Sequence, residues 1–246
     1  MASHDRYAAL YLDLDGLDTS PGHALLGGHG IDVLEAARDP DAAELERVVA
    51  LMAGYDPVGA DWFDALPNLR LVATHSAGYD MVDLAEVRRR RLWLANVPAG
   101  ATDEVAVHAF SMALALVREL PDLDAEVRAG RWIDPDRPYP RMPTELTLGI
   151  VGMGRIGRAL GALASPVFET VAAFDPELPA SDWPDDVTRV ADLDSLLRDS
   201  DCVSLHLPLT PATNRVIDAG RIASMRPGSL LVNVSRGGLV DEHALA

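Results

Sequence analysis

The sequence predicts an α/β protein of two domains, and three observations carry that prediction. Its 246 residues suit two domains of ordinary size better than one. Short apolar runs alternate with helical stretches along the whole length. A glycine-rich turn, GMGRIG, follows one of those runs at Gly152 and opens a helix of small residues. With 48% hydrophobic and 24% charged residues the chain can fill two cores, and disorder, collagen-like repeats and coiled coil fit it poorly.

Taken in order, the runs Tyr7 to Leu12, Val48 to Met52, Leu69 to Thr74 and Leu92 to Val97 read as strands. The segment Asp80 to Arg91 between the last two carries Arg88 to Arg91, read as a solvated helix end and not a basic patch in so acidic a chain. Asp103 to Leu120 reads as one long helix, with acids in its first turn, Arg118 in its last and Pro121 as its stop. Ile133 to Pro143 holds four prolines in eleven residues and reads as a covering loop or linker. Strands resume at Leu146 to Val151, Thr170 to Phe174, Cys202 to Leu207 and Leu230 to Val234. No repeat of solenoid period interrupts this rhythm.

Charge and composition exclude several chemistries. Lys and Arg together number 21 against 38 Asp and Glu, a net charge of −17 that repels phosphate backbones and anionic headgroups. All the basic residues are Arg, which removes Schiff-base, pyridoxal and P-loop lysine chemistry. A single cysteine, Cys202, rules out an internal disulfide and a cysteine-rich zinc site, and no metal site is predicted. No N-terminal stretch joins a basic start to an apolar run, so the protein reads as soluble and cytoplasmic, with neither nucleic acid nor membrane as partner. The acidity itself fits either codon bias or a high-salt interior.

Gly152, Gly154 and Gly157 stand in GxGxxG spacing after an apolar strand, the context a dinucleotide-binding turn requires. Gly152 permits the tight turn, Gly154 lets the backbone approach a pyrophosphate, and Gly157 lets helix and strand pack closely. The helix's first amides would then face the phosphates. The spacing alone is weak in a chain with 19 glycines, but the next strand ends in Asp175, eighteen residues beyond Gly157. A carboxylate there would accept hydrogen bonds from an adenosine ribose and repel a 2′-phosphate, which favours NAD over NADP. The alternative is that Asp175 only starts a turn before Pro176.

Four further segments follow in fixed order: THSAGYDMVDL at 74 to 84, NVPAGATDEVAVHA at 96 to 109, LHLPLTPATNRVI at 205 to 217 and LLVNVSRGGLVDEHAL at 230 to 245. With GIVGMGRIG, the chain closely resembles the NAD-dependent D-2-hydroxyacid dehydrogenase family over nearly its whole length. The resemblance implies a flavodoxin-like substrate domain over about 1–98 and a doubly wound Rossmann nucleotide-binding domain over about 99–246 that lacks its last strands. It implies an active site in the cleft between them, an oxidoreductase that moves a hydride between NAD(H) and a small 2-hydroxy or 2-keto acid, and a homodimer with the Asp103 to Leu120 helix in or near the contact. Backbone amides of Ser76, Ala77 and Gly78 would bind the substrate carboxylate, a buried structural turn being the other reading. Arg155 and Ile156 would lie along the pyrophosphate, Thr102, Leu207, Pro208 and Thr213 would line the cofactor cleft, and Ser235 would sit beside the nicotinamide. Arg236, in SRGG, occupies the place of the catalytic arginine, whose planar fork can hold a keto acid by carboxylate and carbonyl.

The histidines receive lesser roles. His206 would shape the nicotinamide end and be satisfied by local hydrogen bonds, and His75 would neighbour the site without being its acid. His108 and His243 read as structural or exposed. In the family a glutamate and a later histidine complete the catalytic set, and no residue here matches those positions. The chain therefore reads either as a fragment of a longer dehydrogenase or as a shortened non-catalytic relative. Rival readings of the same fold are an NAD-binding regulator, as in the C-terminal binding proteins, and a formate- or phosphite-type dehydrogenase.

Overall fold

Every strand pairing among the described residues is parallel in this computed structural model, which describes residues 6–13, 16, 18–132 and 138–246. The chain divides into two compact units, Met1–Gly100 and Ala101–Ala246. No helix among the described residues is long and apolar enough to cross a membrane.

The first unit runs β1 (Ala8–Tyr11), α1 (Ser20–Gly28), β2 (Asp32–Glu35), α2 (Ala42–Glu46), β3 (Val48–Ala53), α3 (Ala60–Ala65), β4 (Leu71–Thr74), α4 (Leu84–Arg90) and β5 (Trp93–Ala95). Its sheet order, β2-β1-β3-β4-β5, is the flavodoxin-like one, with the winding reversing between β1 and β3. Leu10, Leu51 and Val72 point into a core that also takes Phe63 and Leu66 from the α3 segment. Asp83 caps α4 by accepting from the amides of Ala85 and Glu86, and Arg91 ends it in the left-handed region at φ 59°. The arginine run is a helix end as expected, and Arg89 and Arg90 both pair with Glu86.

The second unit runs α5 (Thr102–Val117), α6 (Leu120–Arg128), β6 (Thr147–Val151), α7 (Arg155–Ala164), β7 (Thr170–Phe174), β8 (Thr188–Arg189), α8 (Leu193–Asp199), β9 (Cys202–Leu205), α9 (Ala219–Ser224), β10 (Leu230–Asn233) and α10 (Glu242–Leu245). The order β10-β9-β6-β7-β8 places β6 at the centre and matches five strands of the Rossmann arrangement. Both faces are covered. Leu148 and Ile150 of β6 join one core with Ala106, Ala109 and Leu160 of α5 and α7, while Val151 joins Leu196, Leu197 and Leu205 on the other face. A near-continuous apolar run is what a strand buried on both sides requires.

One expectation needs correction, and two strands go beyond what was expected. Pro121 does not stop a helix: α5 closes at Arg118, Glu119 turns the chain at φ 51°, and Pro121 sits in the first turn of α6, where a missing N–H costs nothing. β2 and β8 were not expected, since an edge strand reading DVLE and a two-residue strand reading TR have no apolar run to announce them. Of the proline-rich stretch, 133–137 lie outside the described residues; Pro143–Glu145 forms a short 3-10 turn. Arg141 just before it reaches Asp201 at 2.6 Å, a carboxylate that also accepts from the Thr147 amide at 2.9 Å. Burial pushes the Asp201 carboxyl up, but that amide and the flanking arginines outweigh it, and its pKa lies below the ordinary value.

Candidate functional site

At the carboxyl end of β6 the chain turns through Gly152 into α7. Gly152 has φ 96°, and a Cβ there would lie 2.6 Å from the His206 carbonyl oxygen, so glycine is required twice over. Gly157, inside the first turn of α7, lies so close that a Cβ would fall on the Gly152 carbonyl oxygen. Around Gly154 the space is open, and the backbone there can be approached from outside. Arg158 donates to the Gly154 carbonyl at 3.1 Å, which starts the helix. The amides of Gly154, Arg155 and Ile156 donate to no protein acceptor among the described residues. Three free N–H groups at a helix start, with the helix dipole behind them, attract an anion. The Arg155 side chain beside them is exposed and Ile156 is half-buried.

Asp175 follows β7 and performs the local role the sequence allowed as an alternative. Its carboxylate accepts from the amides of Glu177 at 2.8 Å and Leu178 at 3.2 Å, and so shapes the turn at Pro176. The other oxygen accepts from the Met153 amide at 2.7 Å and ties the glycine turn to β7. A carboxylate has about four acceptor positions, so three amides leave room for a hydroxyl.

β9 and β10 bring the next set to the same end of the sheet. The His206 amide donates to the Val151 carbonyl at 2.8 Å, which carries Leu207 against the glycine turn. His206 Nε2 pairs with Ser204 Oγ at 2.9 Å, but Nδ1 is buried without a partner among the described residues. Local hydrogen bonds therefore satisfy only half of this imidazole, and burial pulls its pKa down to about 4. The Thr213 hydroxyl donates to the Pro208 carbonyl at 2.6 Å and accepts from the Thr210 amide at 2.8 Å, so it braces the loop that holds Pro208. Ser235 Oγ donates to the Leu205 carbonyl at 2.8 Å and stitches the end of β10 to β9. Arg236 is half-buried; its Nη1 donates to the Ser235 carbonyl at 2.9 Å, and it lines a cleft of about 310 Å³ with Asn233, Ser235 and Glu242. Thr102 opens α5, away from any hydrogen bond to the glycine turn among the described residues. His108 and His243 are exposed.

In the first unit, Ser76, Ala77 and Gly78 follow β4. All three carbonyls accept from within: Ser76 from Thr74 Oγ1 at 3.0 Å and the Val97 amide at 3.1 Å, Ala77 from Asn96 Nδ2 at 2.8 Å, and Gly78 from Ser76 Oγ at 2.9 Å. The three amides donate to no protein acceptor among the described residues. Beside them, His75 meets Tyr55 edge-on at 6.4 Å between ring centroids, and its Nε2 is buried without a partner among the described residues. Tyr55 is held by Asp13, which accepts from the amides of Gly54, Tyr55 and Asp56. Burial pushes the Asp13 carboxyl up and these amides pull it further down, to a net lowered pKa. Thr74 and Asn96 lie inside motifs that the sequence analysis quoted, yet received no role there. Asp13 and Tyr55 carried no signal of spacing at all.

Residues 110–246 match the sequence profile of the D-isomer specific 2-hydroxyacid dehydrogenase NAD binding domain. The chain is 35% identical over 217 residues to a glyoxylate reductase of Korarchaeum cryptofilum, covering 87% of this chain and 63% of that protein. It is 30% identical over 236 residues to a hydroxypyruvate reductase of Thermotoga maritima, covering 94% of this chain and 75% of that one. Among solved structures, D-lactate dehydrogenase from Aquifex aeolicus, complexed with NAD and lactic acid, superposes with a TM-score of 0.88 at 27% identity, over 96% of this chain and 72% of that one. The chain thus spans less than two thirds of the length of the glyoxylate reductases it matches.

The His206 imidazole sets a pH dependence. Its folded pKa lies below the unfolded value of about 6.5, so the unfolded chain binds the extra proton and stability falls as pH drops from about 6.5 towards 4. Urea unfolding of wild type at pH 7 and pH 5 should differ by about 2 kcal/mol more than unfolding of His206→Gln does. Equal differences in the two proteins would show that His206 is not held neutral by burial.

Proposed function

This chain belongs to the D-isomer specific 2-hydroxyacid dehydrogenase family, and from that premise we propose that it binds NAD(H) through its second unit and serves hydride transfer between that cofactor and a small 2-hydroxy or 2-keto acid. The observation that carries this reading is the glycine turn, whose helix-start amides lack acceptors among the described residues beside the Asp175 carboxylate. The residues fit the cofactor: Gly154, Arg155 and Ile156 would hold the pyrophosphate, and Asp175 would hold the adenosine ribose. Gly152 and Gly157 keep that turn against the sheet. His206, Leu207, Pro208, Thr213, Ser235 and Thr102 would line the remaining cofactor surface. When bound, NADH supplies a hydride to the carbonyl carbon of a keto acid.

The chain's own groups would bind and orient. The amides of Ser76, Ala77 and Gly78 would take the acid's carboxylate, as successive N–H groups on a turn can. Arg236 would grip carboxylate and carbonyl oxygens with parallel donors and polarise the carbonyl. Burial keeps His206 neutral at pH 7, so it is not the proton source. The reading includes a soluble, cytoplasmic homodimer that meets neither nucleic acid nor membrane. A charge of −17 supports the second part. Exposed Val107, Met112, Leu120 and Val127 on α5 and α6, with Trp132 and Tyr139 beyond, support a second copy covering that surface.

The function is tested by NADH binding and by NADH oxidation with glyoxylate, hydroxypyruvate, pyruvate and 3-phosphohydroxypyruvate. In a chain that also carries the family's glutamate and histidine, oxidation is expected with at least one of them, and Arg236→Lys should lose about 10- to 100-fold in kcat/KM while NADH affinity barely moves. Undiminished turnover in the Lys variant would remove Arg236 from the site, and absent NADH binding would overturn the function. Cofactor choice gives a separate test. NADH should bind at least tenfold more tightly than NADPH, roughly the cost of setting a 2′-phosphate beside a carboxylate, and Asp175→Ala should narrow that ratio. Equal wild-type affinities would contradict the role given to Asp175.

A further inference from the structure

The loop after β4 shows an asymmetry that its sequence does not announce. Its three consecutive carbonyls all accept hydrogen bonds, those of Ser76 and Ala77 from outside the loop and that of Gly78 from the Ser76 hydroxyl, and its three consecutive amides donate to no protein acceptor among the described residues. A flexible turn samples peptide orientations in which N–H and C=O exchange sides. In a trans peptide C=O and N–H point opposite ways, so fixing the Ser76 and Ala77 carbonyls inward removes that freedom and leaves the Ala77 and Gly78 N–H groups facing out together. Two of the donors come from side chains outside the loop. Asn96 lies just past β5, nineteen residues along the chain, and donates to the Ala77 carbonyl at 2.8 Å. Thr74, 3% exposed, ends β4 and donates to the Ser76 carbonyl at 3.0 Å, where the Val97 amide also donates.

We propose that Asn96 and Thr74 are positioning residues that set the affinity for the substrate carboxylate by holding the Ser76–Ala77 and Ala77–Gly78 peptides with the Ala77 and Gly78 amides outward. This rests on the reading of that loop as the carboxylate site. Asn96 is the principal member, because no other donor reaches the Ala77 carbonyl among the described residues, whereas the Ser76 carbonyl keeps the Val97 amide when Thr74 is changed. Neither side chain touches the hydride or proton being moved. Their loss should therefore appear in binding and hardly at all in turnover.

The test compares wild type with Asn96→Ala, Asn96→Asp, Thr74→Val and Thr74→Ser. Each is titrated with oxamate, a keto-acid isostere, in saturating NADH while the Ser76, Ala77 and Gly78 amide signals are followed by NMR; KM and kcat for glyoxylate are measured beside it in a chain that also carries the family's glutamate and histidine. Asn96→Ala should weaken oxamate and raise KM by about tenfold, with kcat held within about threefold. Asn96→Asp, which sets a carboxylate oxygen against the Ala77 carbonyl, should be at least as weak. Thr74→Val keeps the shape and loses the donor, so it should weaken oxamate by a smaller factor, and Thr74→Ser should restore wild-type binding. If an Asn96 variant loses its folded amide dispersion, the Thr74 pair decides. Oxamate that shifts these amides in wild type yet binds the Asn96 variants, or Thr74→Val, with unchanged affinity would overturn the proposal and leave the carboxylate site standing. Oxamate that shifts none of the three amides in wild type would overturn the site and the proposal with it.

Discussion

The approach of Gly157 to the Gly152 carbonyl is the contact on which the second unit's site depends. It lets α7 begin directly over the end of β6, with its first amides facing away from the sheet. Any side chain at position 157 would drive the helix outward and carry the amides of Gly154, Arg155 and Ile156 with it. The positive φ of Gly152 and the carbonyl of His206 behind it fix the other side of the same turn. Asp175 then locks the turn to the neighbouring strand through the Met153 amide. A row of backbone donors results, of the kind that attracts an anion.

The first unit reaches a similar end by a different route. There the Ala77 and Gly78 amides are oriented by bonds made to the Ser76 and Ala77 carbonyls at the other side of the same peptides. Both units rely on parallel sheets, which gather the carboxyl ends of strands along one edge where loops can present backbone groups. Side chains with their own charge enter sparingly. Arg236 follows β10, and Arg155 stands exposed at the start of α7.

What the sequence disclosed follows from how each feature is encoded. Strands buried on both faces, such as Leu146 to Val151, are apolar throughout and declare themselves, whereas the edge strand DVLE at 32–35 is half-buried and does not. Asp103 to Leu120 was legible as a helix but not its end, because Pro121 reads equally as a stop or as the first turn of a new helix, and only the turn at Glu119 distinguishes them. The glycine spacing was legible because each glycine answers to a local steric demand. The grip of Asn96 on Ala77 was not, since a hydrogen bond between loops nineteen residues apart leaves no periodic trace. His206 was legible as a site neighbour and not as an imidazole with one nitrogen left unpaired among the described residues.

The central claim is that amides left without acceptors by the fold are the anion-binding groups of the second unit. The most direct measurement is the amide NMR spectrum of the protein titrated with ADP-ribose, which carries the pyrophosphate and adenosine of the dinucleotide without the nicotinamide. Saturable shifts centred on Gly154, Arg155 and Ile156, at one dissociation constant shared with the Asp175 turn, are the predicted result. Saturable binding that leaves those three amides unmoved, or no binding at all, would contradict it.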